Sequence, residues 1–284
     1  MRSFDEQLHH FIAAAMAEDV GEGDHTTLSC IPPDALGVAR LKIKQRGLLA
    51  GISVAQKIFQ FLEPTAHFTA FINDGDPIGV GDIAFSIQAK MHTLLQGERL
   101  ALNTLQRMSG IATLTHAYAE QIKGYPTRLL DTRKTTPNFR LLEKEAVRIG
   151  GGLNHRFGLF DRILLKDNHI DFCGSMETAI DRAFDYVQRV VPGLSIEVEA
   201  RSLQEVECAL QTGKVDRILL DNFTPEGLKE AVALIGGRIE TEASGGINLG
   251  NIRAYAQTGV DFISVGALIH QAQSLDMSLK AVIE

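Results

Sequence analysis

Apolar residues open the chain at helical spacing. Phe4, Leu8, Phe11, Ile12 and Ala15 share a face and predict an amphipathic helix over 4–18, ended by GEGDHTT (21–27). Residues 38–50 (VARLKIKQRGLLA), 67–72 and 83–90 read as strands, separated by the turn formers NDGDP and GVGD. A long helical pattern follows from about Leu94 to Ile122, with a predicted break at Ser109-Gly110. The first hundred or so residues thus predict a mixed unit of helices and strands.

The rhythm changes at Arg128. Short apolar runs now end in polar residues: RLLDT (128–132), DRILLKD (161–167), SIEVEA (195–200), DRILLDN (216–222), RIETEASGG (238–246) and DFISVGA (261–267). Helical patterns over 139–149, 175–190, 202–212, 225–235, 248–258 and 271–282 separate or follow them. Alternation of this kind predicts a parallel sheet covered by helices. The six visible units fit a closed or partly open α/β barrel better than an eight-unit one, with a doubly wound sheet as the alternative.

Length and charge narrow the function. A chain of 284 residues can bury a full core without staples. Its net charge of −7 disfavours a nucleic-acid backbone as partner. Cys30, Cys173 and Cys208 are odd in number and widely spaced, which fits a reducing compartment. The apolar run at 11–17 is too short for a membrane span, and a cytoplasmic location is expected.

The strand ends carry the candidate chemistry: Asp131, Lys166, Glu199, Asp221, Ser244 with Gly245 and Gly246, and Gly266. In parallel α/β folds these ends gather at one mouth, where ligands bind. ASGGIN (243–248) follows a strand and is expected to open a helix, a setting for an anion. Residues 128–166 hold nine Lys/Arg against four Asp/Glu, a local +5. Arg133 and Arg156 can fork a carboxylate or phosphate, Lys134 and Lys166 supply point charges, and His155 a donor of adjustable charge. The bland alternative pairs this basic segment with Glu143 and Glu145 on a solvated face. Glu199 and Asp221 suit a hard cation such as Mg²⁺ or sugar hydroxyls; with Glu197 they are alternatively structural partners of the cations.

Several motifs resemble the quinolinate phosphoribosyltransferases, also called nicotinate-nucleotide pyrophosphorylases (carboxylating). They are GDHTT (23–27), ERLALNTLQRMSGIAT (98–113), DTRKTTPNFRLLEKEAVRIGGGLNHRFGLFDRILLKDNH (131–169), IEVEA (196–200), ILLDNF (218–223) and EASGGI (242–247). The resemblance implies an N-terminal α/β sandwich, taken here as 1–112, and an open parallel α/β barrel of roughly seven strands over 113–270. A C-terminal helix at 271–284 is expected to pack on the sandwich. It also implies transfer of phosphoribosyl from phosphoribosyl pyrophosphate to quinolinate, with decarboxylation and Mg²⁺, as a step of NAD biosynthesis.

By matched motif, Arg133, His155, Arg156 and Lys166 resemble the cradle for quinolinate. Arg99 resembles an arginine donated by a neighbouring subunit, implying a homodimer. Lys134 is implied to contact the sugar-pyrophosphate, Glu199 and Asp221 the ribose hydroxyls and Mg²⁺, and Ser244, Gly245, Gly246 and Gly266 the 5′-phosphate, with His270 assisting. The sequence departs from the family pattern at His25, at Asn138 (where glycine is common) and at Glu145. The competing readings are a paralogue acting on another anionic ligand, a Schiff-base aldolase using Lys166, and a non-catalytic sensor.

Overall fold

The computed structural model describes residues 3–282. It divides into two compact units that interleave along the chain. The first takes the chain up to His116, then Thr135–Gly151, then Leu268 onward; the second takes Ala117–Lys134 and Gly152–Ala267. The sequence reading sets boundaries at 112/113 and 270/271, without the return of 135–151 to the first unit.

In the first unit, α1 (Phe4–Val20) starts at a capping box, with Ser3 accepting from Glu6 N–H and Glu6 accepting from Ser3 N–H. Its buried positions are Leu8, Ile12 and Met16, four residues apart, as an amphipathic helix requires. GDHTT is the start of a second helix, α2 (His25–Cys30), capped by Asp24, which accepts from the backbone and hydroxyl of Thr27. His25 is the first helical residue and faces solvent.

The remaining elements of this unit are β1 (Leu36–Ile43), β2 (Gly47–Leu48), α3 (Ile52–Leu62), β3 (His67–Ala70), β4 (Pro77–Ile78), β5 (Ile83–Lys90) and most of α4 (Met91–Gln121). The main sheet is antiparallel in order β12-β1-β5-β3, where β12 is Met277–Ala281. The expected helix over 271–284 is therefore corrected: its described part ends as a strand with Ala39 opposite Ala281, and residues 283–284 lie outside the described residues. Met277 and Leu279, two apart, are both buried as the strand period requires, and the strand fills the free edge of β1.

The predicted break in α4 does not occur. The helix runs through Ser109 and Gly110, and the segment 269–277 lies against it instead. Arg107 donates to the carbonyls of Ile269 and Ala272, Gln106 accepts from Leu275 N–H, and its side chain donates to Met277 O. A β-carbon on Gly110 would lie 2.0 Å from Gln273 O. This glycine serves a close approach rather than a bend.

The second unit contains β6 (Arg128–Leu130), β7 (Ile163–Leu165), α6 (Asp167–Cys173), α7 (Met176–Val190), β8 (Ile196–Ala200), α8 (Leu203–Thr212), β9 (Arg217–Asp221), α9 (Pro225–Ile235), β10 (Glu240–Ser244), α10 (Ile252–Ala256) and β11 (Phe262–Ser264). α5 (Arg140–Ile149) and α11 (Ala267–His270) belong wholly or mostly to the first unit. Six parallel strands pair in the order β6-β11-β10-β9-β8-β7. Leu153 adds a parallel bridge to Leu130 on the outer side of β6, giving a seventh strand position of one residue. The sheet edges are thus Leu153 and β7, which is the open form of the closed or partly open barrel that the βα rhythm allows and the form the resemblance implies. Among the described residues no helix is long and apolar enough to cross a membrane.

Candidate active site

Alternation along each strand sorts the second unit's side chains onto two faces. Ile196, Val198, Ala200, Ile218, Leu220 and Ala243 form an aliphatic set, all buried. The opposite set carries the polar groups: Glu197 and Glu199 on β8, Arg217 and Asp221 on β9, Glu242 and Ser244 on β10. The register places Glu197 opposite Arg217, and Asp221 opposite Ser244. Carboxylates from β8 and β10 both reach one imidazole, although β9 lies between them. Strands two apart in a flat sheet are separated by ~10 Å, so this face is the concave inside of the barrel.

At the C-terminal ends of the strands, Lys166 Nζ lies 3.0 Å from Glu199 Oε2. Glu199 is buried and Lys166 exposed. Burial and the neighbouring charge of Glu199 push the Asp221 carboxyl above its ordinary pKa, while Lys166 and Lys134 pull it back. Lys166, Glu199 and Asp221, predicted from three strand ends, and Lys134, predicted from the basic segment after β6, thus form one electrostatic cluster. On the cationic side, burial and the nearby Arg133 lower the pKa of Arg156. Two guanidiniums drawn together in this way make a ready receptor for an anion.

His155 sits beneath. Its backbone N–H donates to the fully buried Asp131 at 2.8 Å. Its Nε2 faces Glu197 Oε2 at 3.2 Å and Glu242 Oε2 at 3.4 Å. Burial lowers its pKa, but hydrogen bonds to Glu197 and Glu242 outweigh this and lift it to about 9. The Arg156 amide donates to Nδ1 at 2.7 Å, and that bond holds only while Nδ1 is unprotonated.

The glycine loop after β10 differs from expectation. The helix predicted from 248 begins at Ile252 and has five residues, so a helix dipole contributes little. The turn is built from Gly245 (φ 95°) and Gly246 (φ 63°), and is tied by Asn251 Nδ2 to Gly246 O at 3.1 Å. Gly266 stands between β11 and α11. Arg99 on α4 and His270 at the end of α11 are exposed residues of the first unit.

Sequence reasoning missed Asn222. It adopts φ 58°, donates from Nδ2 to Asp221 Oδ2 at 2.5 Å, and from its backbone to Ser244 O at 2.9 Å. Its signal was an asparagine directly after a strand-end acid, since asparagine tolerates left-handed backbone. Asn138, where the family commonly has glycine, shows the same conformation at φ 61°. Arg162, Arg217 and Glu242 were also missed, because nothing local marks a barrel-interior charge. The solvated-face alternative holds for Glu145, which pairs with Arg148, whereas Glu143 is buried and bound by Arg107. The structural reading of Glu197 holds as well: Arg162 and His155 flank it.

Paired guanidiniums, paired carboxylates and a glycine loop at the strand ends of a parallel α/β unit define a barrel protein built for anionic ligands. Comparison with known proteins narrows the class. The family model described as quinolinate phosphoribosyl transferase, C-terminal domain, matches residues 111–280, and its N-terminal counterpart matches 24–109. The chain is 43% identical over 284 residues to quinolinate phosphoribosyltransferase (decarboxylating) 1b of Nicotiana tabacum, covering 95% of this chain and 81% of that one. It is 42% identical over 270 residues to a probable nicotinate-nucleotide pyrophosphorylase (carboxylating) of Synechocystis, covering 94% and 90%. The crystal structure of NadC from Streptococcus pyogenes matches with a TM-score of 0.91 at 40% identity over the whole of both chains. The chain belongs to the quinolinate phosphoribosyl transferase family.

Proposed function

We propose that this chain transfers phosphoribosyl from phosphoribosyl pyrophosphate to quinolinate and releases CO₂ and pyrophosphate, forming nicotinate mononucleotide for NAD biosynthesis. The observation that carries the reading is the grouping of opposite charges at the strand ends: Lys166 bonds Glu199 at 3.0 Å, with Asp221 and Lys134 in the same field, and Arg133 neighbours Arg156. In this reading the arginines take the dicarboxylate, the acids and Lys134 take the ribose-pyrophosphate, and Lys166 serves both.

The reaction follows from those charges. Departure of pyrophosphate leaves a cationic, oxocarbenium-like sugar, which the carboxylates Glu199 and Asp221 favour. Lys134 and Lys166 offset charge on the leaving group. Arg133, Arg156 and Lys166 hold quinolinate so that its ring nitrogen faces C1, and no protein nucleophile is needed. N-ribosylation makes the ring cationic and eases loss of the carboxylate next to nitrogen. Ser244, Gly245, Gly246 and Gly266 receive the 5′-phosphate.

Glu199 and Asp221 are the residues to hold Mg²⁺, which supplies charge neutralisation for the pyrophosphate. They fit it in this reading: both offer hard carboxylate oxygens at adjacent strand ends, and a cation there would offset the burial and the Glu199 charge that raise the Asp221 pKa. The trio His155, Glu197 and Glu242 also places ligand atoms within 4.8 Å of one another. It fits poorly, because Arg162 and Arg217 already occupy both carboxylates and imidazole is a poor ligand for Mg²⁺.

The working assembly in this reading is a homodimer, with the exposed Arg99 completing the partner's quinolinate cradle. An inactive Arg99→Ala chain mixed with an inactive Lys166→Ala chain then regains activity, and strictly additive loss overturns the shared site. Three free cysteines support a cytoplasmic setting in this reading.

The direct test incubates the pure protein with quinolinate, phosphoribosyl pyrophosphate and Mg²⁺, with nicotinate in parallel, and follows nicotinate mononucleotide by mass spectrometry. Product from quinolinate alone supports the reading. A folded protein that binds quinolinate and makes no product overturns it.

A further inference from the structure

The barrel interior holds more charge than the reaction uses. Below Glu199 and Ser244 lies a chain of ion pairs: Arg162 Nη1 to Glu197 Oε2 at 3.0 Å, Glu197 to His155, His155 to Glu242, and Glu242 Oε2 to Arg217 Nη1 at 3.0 Å. Arg217 continues to Glu240 at 2.6 Å and stacks on Phe262, its guanidinium carbon 3.9 Å from the ring centre. Glu197 and Glu242 are fully buried.

Such a network is a costly way to fill a core. Desolvating its ions costs several kcal/mol each, and aliphatic residues of similar volume often stabilise a fold as well or better. What ions and hydrogen bonds add is fixed geometry. Here the geometry leads to one residue by two routes. Glu242 and Glu197 fix the His155 ring through Nε2, and that ring sets its Nδ1 2.7 Å from the backbone nitrogen of Arg156, the next residue in the chain. Glu197 also fixes Arg162, whose carbonyl accepts from Arg156 Nη1 at 3.2 Å. Asp131 anchors the same corner through the His155 amide.

We infer that Glu242 and Glu197 are positioning residues for this enzyme: through His155 and Arg162 they set the direction of the Arg156 guanidinium, and so the fit of the dicarboxylate substrate. The inference rests on the reading of Arg156 as a quinolinate ligand. It separates the two substrates, because the phosphoribosyl end is built from Lys134, Glu199, Asp221 and the glycine loop, to which neither route leads.

The test is Glu242→Gln, which keeps the shape and removes the charge, measured as KM for each substrate and kcat, alone and combined with Arg156→Lys. The expected result is a rise of about tenfold in the quinolinate KM, with the phosphoribosyl pyrophosphate KM within about twofold of wild type. In the Arg156→Lys background the same change adds little, since the fork it positions is gone. Equal rises in both KM values, or full additivity with Arg156→Lys, overturn the inference in favour of a general structural role. An unchanged quinolinate KM overturns it as well. If Glu242→Gln does not fold by circular dichroism, Glu197→Gln carries the same test through the Arg162 route. Wild-type protein that makes no nicotinate mononucleotide marks failure of the functional reading, and is told apart from failure of this one.

Discussion

The side chain of Asn222 occupies the space that a β-carbon on Gly245 would need: its Oδ1 lies 2.1 Å from that position. Asn222 in turn donates to Asp221 and to the Ser244 carbonyl. The acid end and the glycine loop are thus one packed unit, joined by two residues in left-handed conformations.

Gly245→Ala is therefore expected to displace Asn222 and loosen Asp221. With the added strain of φ 95°, the cost is on the order of 1–3 kcal/mol in stability. The KM for phosphoribosyl pyrophosphate should rise while that for quinolinate holds. Thermal unfolding and initial rates check both parts.

Gly110→Ala reverses a familiar sign. Replacing a mid-helix glycine by alanine ordinarily stabilises by about 1 kcal/mol. Here the new methyl meets Gln273 O, so the segment leading into β12 must move. A lowered melting temperature, with faster amide exchange at 277–281, is the expected outcome.

Glu143 is fully buried and accepts from Arg107 Nε and Nη2 and from the backbone and hydroxyl of Thr136. Glu143→Ala leaves Arg107 without its carboxylate in a half-buried site. A loss of roughly 3–5 kcal/mol is expected. Urea unfolding of the variant measures it, and an unchanged midpoint contradicts the role.

His155 gives a pH dependence. Its pKa is raised in the fold, from 6.5 to about 9, so its contribution is fully present below pH 6.5 and is lost as pH rises through 9. The proton's stabilisation is on the order of 3 kcal/mol, reduced by the Arg156 amide that must release Nδ1. Stability should fall between pH 6.5 and 9.5 in wild type, and much less in His155→Gln, as read by urea unfolding at each pH.

Arg156→Ala removes one fork from the quinolinate end. The expected loss in kcat/KM for quinolinate corresponds to about 2–5 kcal/mol. Steady-state rates against each substrate check it, and an effect confined to phosphoribosyl pyrophosphate counts against the assigned orientation.

Much of the site was legible because a strand end is a local event. An apolar run that stops at Lys166, Glu199, Asp221 or Ser244 reports both the strand and the residue at its mouth. Buried charges such as Glu242 and Arg217 gave no such signal, since each matters only through a partner on another strand.

Local chemistry alone determined the βα rhythm, the α1 stripe, and the strand-end acids and cations. Each is written within a few residues, where sterics and periodicity act. Tertiary structure decided the rest: that 277–281 is a strand, because β1 had open backbone groups to fill; that Gly110 sits inside an unbroken helix, because another segment needed its space; and that His155 turns to two carboxylates from strands separated in sequence. Hydrogen bonds and ion pairs between distant segments exist only once the chain has closed on itself, and no local pattern encodes them.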